Sequence, residues 1–332
     1  MAPGSQRGGL QPWFDETSGT GAPSPATRET RVSLEELRRF FGNPARAFLQ
    51  QRLGLRLAGD IDDSDDVEPL LAPERGLDHQ RVQQHALAAL LQGEEDGLYA
   101  RLRARALLPS GALGKQQFAE LLERLRPCAR AFKQWDDGMP AQPWQGEAEI
   151  NGITVHGRIE RVHAKGLPRL LVNRKGQAMS AGWALRNGLD WLLVNAAGAR
   201  LPLLRFIDAE QNGNFGPHPL PALSAEQARA ALNTLLRLRE QGLRAPLRFA
   251  LYAGWNIYND ASDLSEENAR KHWLGNEHGD WNERNDEALQ LVFRGADPFA
   301  SESAAREFID NSRLIFGAVC EGKAGIAGQG SA

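Results

Sequence analysis

The chain has 332 residues, of which 42% are hydrophobic and 24% charged, an ordinary globular composition that excludes a largely disordered polypeptide. That length makes one large domain or two, and a net charge of −3 excludes a histone-like polycation. No stretch approaches the roughly 18 uninterrupted apolar residues of a membrane span, and the N-terminus lacks the pattern of a secretory signal, so a cytoplasmic setting is expected.

Residues 1–30 are rich in Gly, Ser, Pro and Thr without hydrophobic period and read as a flexible lead-in. Order is expected from Ser33, where Ser33 and Glu36 form a capping box ahead of an apolar stripe of Leu34, Leu37 and Phe41. Pro44 ends that helix, and Asn43 can cap a second one with Pro44 in its first turn and Ala45, Phe48 and Leu49 facing inward. Six of the nine residues from Asp60 to Glu68 are acidic and read as a solvated loop. Helical patterns then run from about Leu77 to Trp135, with breaks near Gly93 and between Pro109 and Gly114.

The period changes at Ala148. Ile150, Ile153–His156, Arg158–Val162 and Leu170–Val172 read as β segments, with Asn151-Gly152 as a hairpin turn. A helix is expected from about Ala178 to Ala196, a strand over Leu201–Ile207, and a helix capped by Ser224 over Ala225–Gln241. Leu247–Tyr252 fits either state; the remainder is helical, with a frayed tail at 321–332. The layout is thus a helical part at 31–145, then an α/β core with C-terminal helices at 146–320: an α/β class with a small mixed central sheet inside a large helical shell.

The chemistry-bearing segment is Gly157-Arg158-Ile159-Glu160-Arg161-Val162, followed by Val172-Asn173-Arg174-Lys175-Gly176. Magnesium nucleases of the restriction-endonuclease type set one acid on a strand and an acid-x-Lys element on the next; the acids hold the metal and the lysine positions the nucleophile. Glu160 and Lys175 can fill two of those places, whereas Asn173 offers a neutral amide where the second anionic ligand belongs. From Gly157 to Leu189 the cations Arg158, Arg161, Lys165, Arg169, Arg174, Lys175 and Arg186 face Glu160 alone, the pattern of a phosphate-tracking surface or of one that meets an acidic protein. Thirty-three of the 39 cations are arginine, a planar phosphate ligand, although genomic base composition gives the same bias.

Other groups carry less. His272, Glu277 and His278 do not have helical ligand spacing and read as a loop; His156 and His163 flank the hairpin, at an edge or within reach of phosphate; Trp183 and Trp191 read as a core stripe. Cys128 and Cys320 alone build neither a disulfide framework nor a cysteine metal site, and no G-x-x-x-x-G-K-[ST] loop is present.

Read together, Val32–Leu37, Phe41-Gly42-Asn43-Pro44-Ala45-Arg46-Ala47-Phe48, Arg52–Leu55, the hairpin, Trp273–Asn276 and Gly295–Pro298 resemble the C-terminal domain of the exodeoxyribonuclease V gamma subunit (RecC) over about residues 30–316. The resemblance implies a restriction-endonuclease-like core with a degenerate motif at Glu160, Asn173 and Lys175, no catalytic residue and no cofactor of its own. It also implies Mg and ATP on RecB-type and RecD-type partner subunits, and contact with double-stranded and unwound single-stranded DNA through Arg158, Arg161, Lys165, Arg169, Arg174 and Lys175. Asn43 stands where iron–sulfur relatives have cysteine, so no cluster is implied. Two alternatives stay open: a live magnesium nuclease completed by Glu147 or Glu149, and a protein-interaction module that never touches DNA.

Overall fold

The computed structural model describes residues 30–55, 57, 76–138, 141–171, 179–208, 212–260, 266–275 and 283–325, with side chains from 81 onward in the third helix. Among these residues there are two three-stranded sheets and eleven α-helices, and no helix is long and apolar enough to cross a membrane.

The first ordered element is a strand, β1 (Arg31–Ser33), which pairs in parallel with the middle of β3 (Ile153–Val162) and buries Val32. Three residues are too few to carry a β period, so only the tertiary pairing reveals it. Ser33 ends β1 and caps α1 (Leu34–Gly42): its hydroxyl accepts from the Glu36 N–H at 3.1 Å, and its own N–H donates to the Glu36 carboxylate at 2.6 Å. Burial pushes that carboxyl up, but the two Ser33 bonds overrule it and hold Glu36 below the ordinary range. Asn43 then caps α2 (Pro44–Leu53) through its side-chain oxygen, 2.9 Å from the Arg46 N–H.

The helices α3 (Gly76–Gln92), α4 (Leu98–Ala104) and α5 (Gly111–Trp135) enclose an apolar core of their own around Leu102, Leu108 and Leu125. This unit joins the rest through Cys128 and Phe132, which pack on Leu204 and Phe206. The helices α1 and α2 belong instead to the main body.

The hairpin forms as its turn dipeptide dictates. Asn151 and Gly152 take φ of 50° and 82°, as a two-residue turn with both centres left-handed requires, between β2 (Gln142–Ile150) and β3. The first sheet has the order β1-β3-β2. A second sheet, β4-β5-β6, pairs β4 (Leu167–Leu170) in parallel with β5 (Leu203–Phe206), and β5 antiparallel to β6 (His218–Leu220). The expected single central sheet is therefore divided. The chain turns sharply at His163–Gly166 and carries β4 away from the first ladder.

At the centre lies α6 (Ala181–Ala196). Thirteen of its sixteen residues are buried, so it is enclosed on all sides by α1, the first sheet, α7 (Ala225–Arg244) and α11 (Glu302–Glu321). Gly188 lets α11 approach: a Cβ there would lie 2.2 Å from the Val319 carbonyl oxygen. Leu247–Ala250 is irregular, and helix resumes as α8 (Leu251–Asn259). Against α2 and α11, α8 packs α9 (Glu266–Leu274) and α10 (Glu287–Phe293) into a second cluster with Trp273, Phe299 and Phe308. Past α11, the Gly325 N–H donates to the Thr234 hydroxyl at 2.9 Å, holding the chain on α7.

Candidate nucleic-acid interface

Strand β3 buries Val155 and Ile159 and turns His156, Arg158 and Glu160 outward. Opposite them on β2, Gln145 faces Arg158 and Glu147 faces His156. This outer face is mixed in sign. The Arg158 guanidinium donates to Glu160 at 2.7 Å with both side chains more than 60% exposed, and Arg31 donates to Glu147 at 2.9 Å. Between this face and the start of α1 runs an open cleft of about 620 Å³, with Arg31, Arg38, Arg158, Glu35 and Glu147 on its walls.

The ladder changes near the end of β3. Gln142 pairs with Val162 and Trp144 with Ile159, so Glu160 and Arg161 together face the single residue Pro143. Proline has no N–H to donate to the ladder, and the extra residue of β3 is accommodated there as a β-bulge. Arg161 takes φ of 57°, the left-handed region that a residue with a side chain adopts at a cost. Strict alternation would send Arg161 inward after Val155, Gly157 and Ile159. The bulge turns both Glu160 and Arg161 to solvent and returns Val162 to the core.

The seven cations grouped by sequence separate in space. Arg158, Arg161, Lys165 and Arg186 are exposed. Lys165 pairs with Asp137 at 2.5 Å and lies 6.0 Å from the Trp135 ring centre. Arg161 and Arg186 make no ion pair with another described residue. Arg169 points inward: its side chain is 13% exposed, and it donates to Asp190 at 2.9 Å, Asn187 at 2.8 Å and the carbonyls of Pro168 and Arg161 at 3.0 and 3.3 Å. The motif positions Asn173, Arg174 and Lys175 lie outside the described residues, as do Glu277 and His278.

Asp190 is the buried centre that this part of the sequence hides. From α6 it accepts Arg169 of β4 on one oxygen and Arg38 of α1 on the other, tying three elements together beneath the hairpin. A lone carboxylate within Gly188–Val194, an otherwise apolar run, is the sequence signal that finds it. His163 is also buried, edge-on to Trp135 and Phe132, and burial holds its imidazole below the ordinary range, which favours the uncharged ring packed there. Trp191 is in the core as expected, and Trp183 half-emerges. His272 bonds Asp260 at 3.1 Å.

Glu147 and Glu149 sit opposite His156 and Thr154, four and six residues from Glu160 along β3. At about 3.3 Å per residue that is roughly 13 and 20 Å, too far for one cation to bridge. Among the described residues no three of His, Cys, Asp and Glu come together as metal ligands. Burial pushes the thiols of Cys128 and Cys320 up to about 12, so neither is a thiolate nucleophile at neutral pH.

The family model described as RecC C-terminal domain matches residues 29–262. The RecBCD enzyme subunit RecC of Escherichia coli (strain K12) is 28% identical over an alignment 260 residues long, which covers 74% of this chain and 21% of that relative. The chain thus spans about a fifth of the relative's length. With well over half of its residues covered by the family model, this chain belongs to the RecC C-terminal domain family.

Proposed function

We propose that the chain is a nuclease-like domain without catalysis of its own, holding subunits and guiding DNA in a RecBCD-type helicase–nuclease complex that acts in double-strand break repair and recombination. Its partners on this view are RecB-type and RecD-type subunits and both duplex and unwound single-stranded DNA. Membership of the RecC C-terminal domain family supports the setting. The β2–β3 hairpin, with parallel β1 and the buried α6 behind it, supports a restriction-endonuclease-like origin for the core.

The observation that carries the non-catalytic part is the state of Glu160. The one motif carboxylate on β3 is exposed and engaged by Arg158 two residues away, and the sequence supplies an amide, Asn173, where the second anionic ligand would stand. A guanidinium held on the first carboxylate competes with a dication for the same oxygens, and one neutral and one occupied ligand make a weak magnesium site. For DNA guidance the support is the exposed row Arg158, Arg161 and Lys165 beside Arg174 and Lys175 in the sequence.

The test incubates the full chain with end-labelled linear duplex and Mg²⁺, in parallel with Glu160→Ala and Lys175→Ala. All three should leave the label uncut. Cleavage by the wild type that Lys175→Ala abolishes overturns the proposal in favour of a live nuclease.

A further inference from the structure

We propose that the Glu160–Arg161 bulge is a phosphate-contact site for DNA, with Arg161 the contacting residue and Arg169 and Asp190 its positioning residues. The inference rests on the DNA-guiding role proposed above and names a subsite for it.

Three features converge on Arg161. The first is conformational: it is a non-glycine residue in the left-handed region, at the one position of β3 where the ladder with β2 loses register. Strain of this kind persists only where surrounding structure enforces it, and bulges recur where a side chain has to be re-aimed. The second is the outcome of that strain. Arg161 is exposed next to Glu160, and unlike Arg158 and Lys165 it makes no ion pair with another described residue. Its five donors are thereby available to an incoming anion without breaking an existing pair.

The third is the support beneath it. The Arg169 Nη1 group donates to the Arg161 carbonyl oxygen, while its Nε and Nη2 groups are fixed by Asn187 and Asp190. Asn187 is itself fixed through its amide, which donates to the Trp183 carbonyl at 2.8 Å, and Asp190 is held from the other side by Arg38. A chain of hydrogen bonds therefore runs from the buried helix α6 to the backbone of the bulge. Only a guanidinium spans these directions at once; a lysine at 169 reaches one partner and leaves the bulge carbonyl unheld. The residue that sequence grouped with the DNA-binding cations thus acts from below, through the orientation of another arginine.

The chemistry fitted is a single phosphodiester oxygen pair, recognised by a planar fork irrespective of base. The experiment measures binding of a forked duplex oligonucleotide to the full chain across a salt series. The variants are Arg161→Gly, Arg161→Lys and Arg169→Lys. Arg161→Gly removes the contact and also the left-handed strain, so its unfolding midpoint should not fall, while affinity at 0.1 M salt drops roughly tenfold and the salt slope becomes shallower by about one. Arg161→Lys should keep the slope and lose the affinity that depends on the fork. Arg169→Lys should weaken binding at unchanged surface charge, with circular dichroism confirming that it folds; if it does not fold, Arg161→Gly alone decides. Wild-type binding that Arg161→Gly leaves unchanged overturns the inference while the DNA-guiding role survives. Absence of any DNA binding by the wild type overturns both.

Discussion

Asn43 and Asp286, separated by 243 positions in the chain, meet at the caps of two helices. The Asn43 amide nitrogen lies 3.3 and 3.2 Å from the two Asp286 carboxylate oxygens, while its own oxygen caps α2 and Asp286 caps α10 through the Leu289 N–H at 3.0 Å. A residue that looks from the sequence like a simple corner is therefore a clamp between the first and last thirds of the chain. Asn43→Ala removes a cap and leaves Asp286 without its amide donor, so urea unfolding should show a loss of about 1–2 kcal/mol. An unchanged midpoint would mean that water replaces both bonds.

Within α6 two glycines make opposite predictions. A Cβ at Gly188 would stand 2.2 Å from the Val319 carbonyl oxygen and 2.8 Å from its carbon, backbone atoms that cannot swing aside, whereas a Cβ at Gly182 meets nothing within 4 Å. Gly188→Ala should therefore destabilise by roughly 2–3 kcal/mol. Gly182→Ala should be neutral or stabilising by up to about 1 kcal/mol. Thermal unfolding of the pair checks this close approach of α6 and α11 directly.

Glu283 supplies a cap that α8 lacks in its own sequence: its carboxylate accepts from the Tyr252 N–H at 2.9 Å and the Ala253 N–H at 2.7 Å. Burial pushes this carboxyl up to about 7, against the downward pull of those backbone bonds. Between its ordinary value and about 7 the folded chain holds a proton that the unfolded chain releases, so folding stability falls as pH rises through that window. The contribution is fully present below the ordinary carboxylate range and is lost above about 7, on the order of 3 kcal/mol in all. The stability of wild type relative to Glu283→Gln should decline by that amount from about pH 4 to about pH 8. A pH-independent difference contradicts it.

Local signals in the sequence placed most elements near the Ser33, Asn43 and Ser224 caps and the Asn151-Gly152 turn, because capping and turn chemistry act over three or four residues. Long-range pairing was not legible in the same way. β1 and β6 are three residues each and exist through their partners on β3 and β5, and the split into two sheets depends on a turn at His163–Gly166 that has no distinctive dipeptide. The site shows the same division. Charge counting found the cations, but Arg169 lies inside because Asp190, one residue past the counted window, draws it there. Arg161 lies outside because Pro143 breaks the ladder opposite, a relationship that only register reveals.

The central claim, that this domain guides DNA through cations on and beside the β3 hairpin, is tested most directly by the salt dependence of DNA binding in the wild type and an Arg158→Glu/Arg161→Glu variant. The account predicts a linear fall of log affinity with log salt in the wild type and a clearly weaker, shallower dependence in the variant. A flat line, or equal affinities in the two proteins, would contradict it and leave a domain that meets only other proteins.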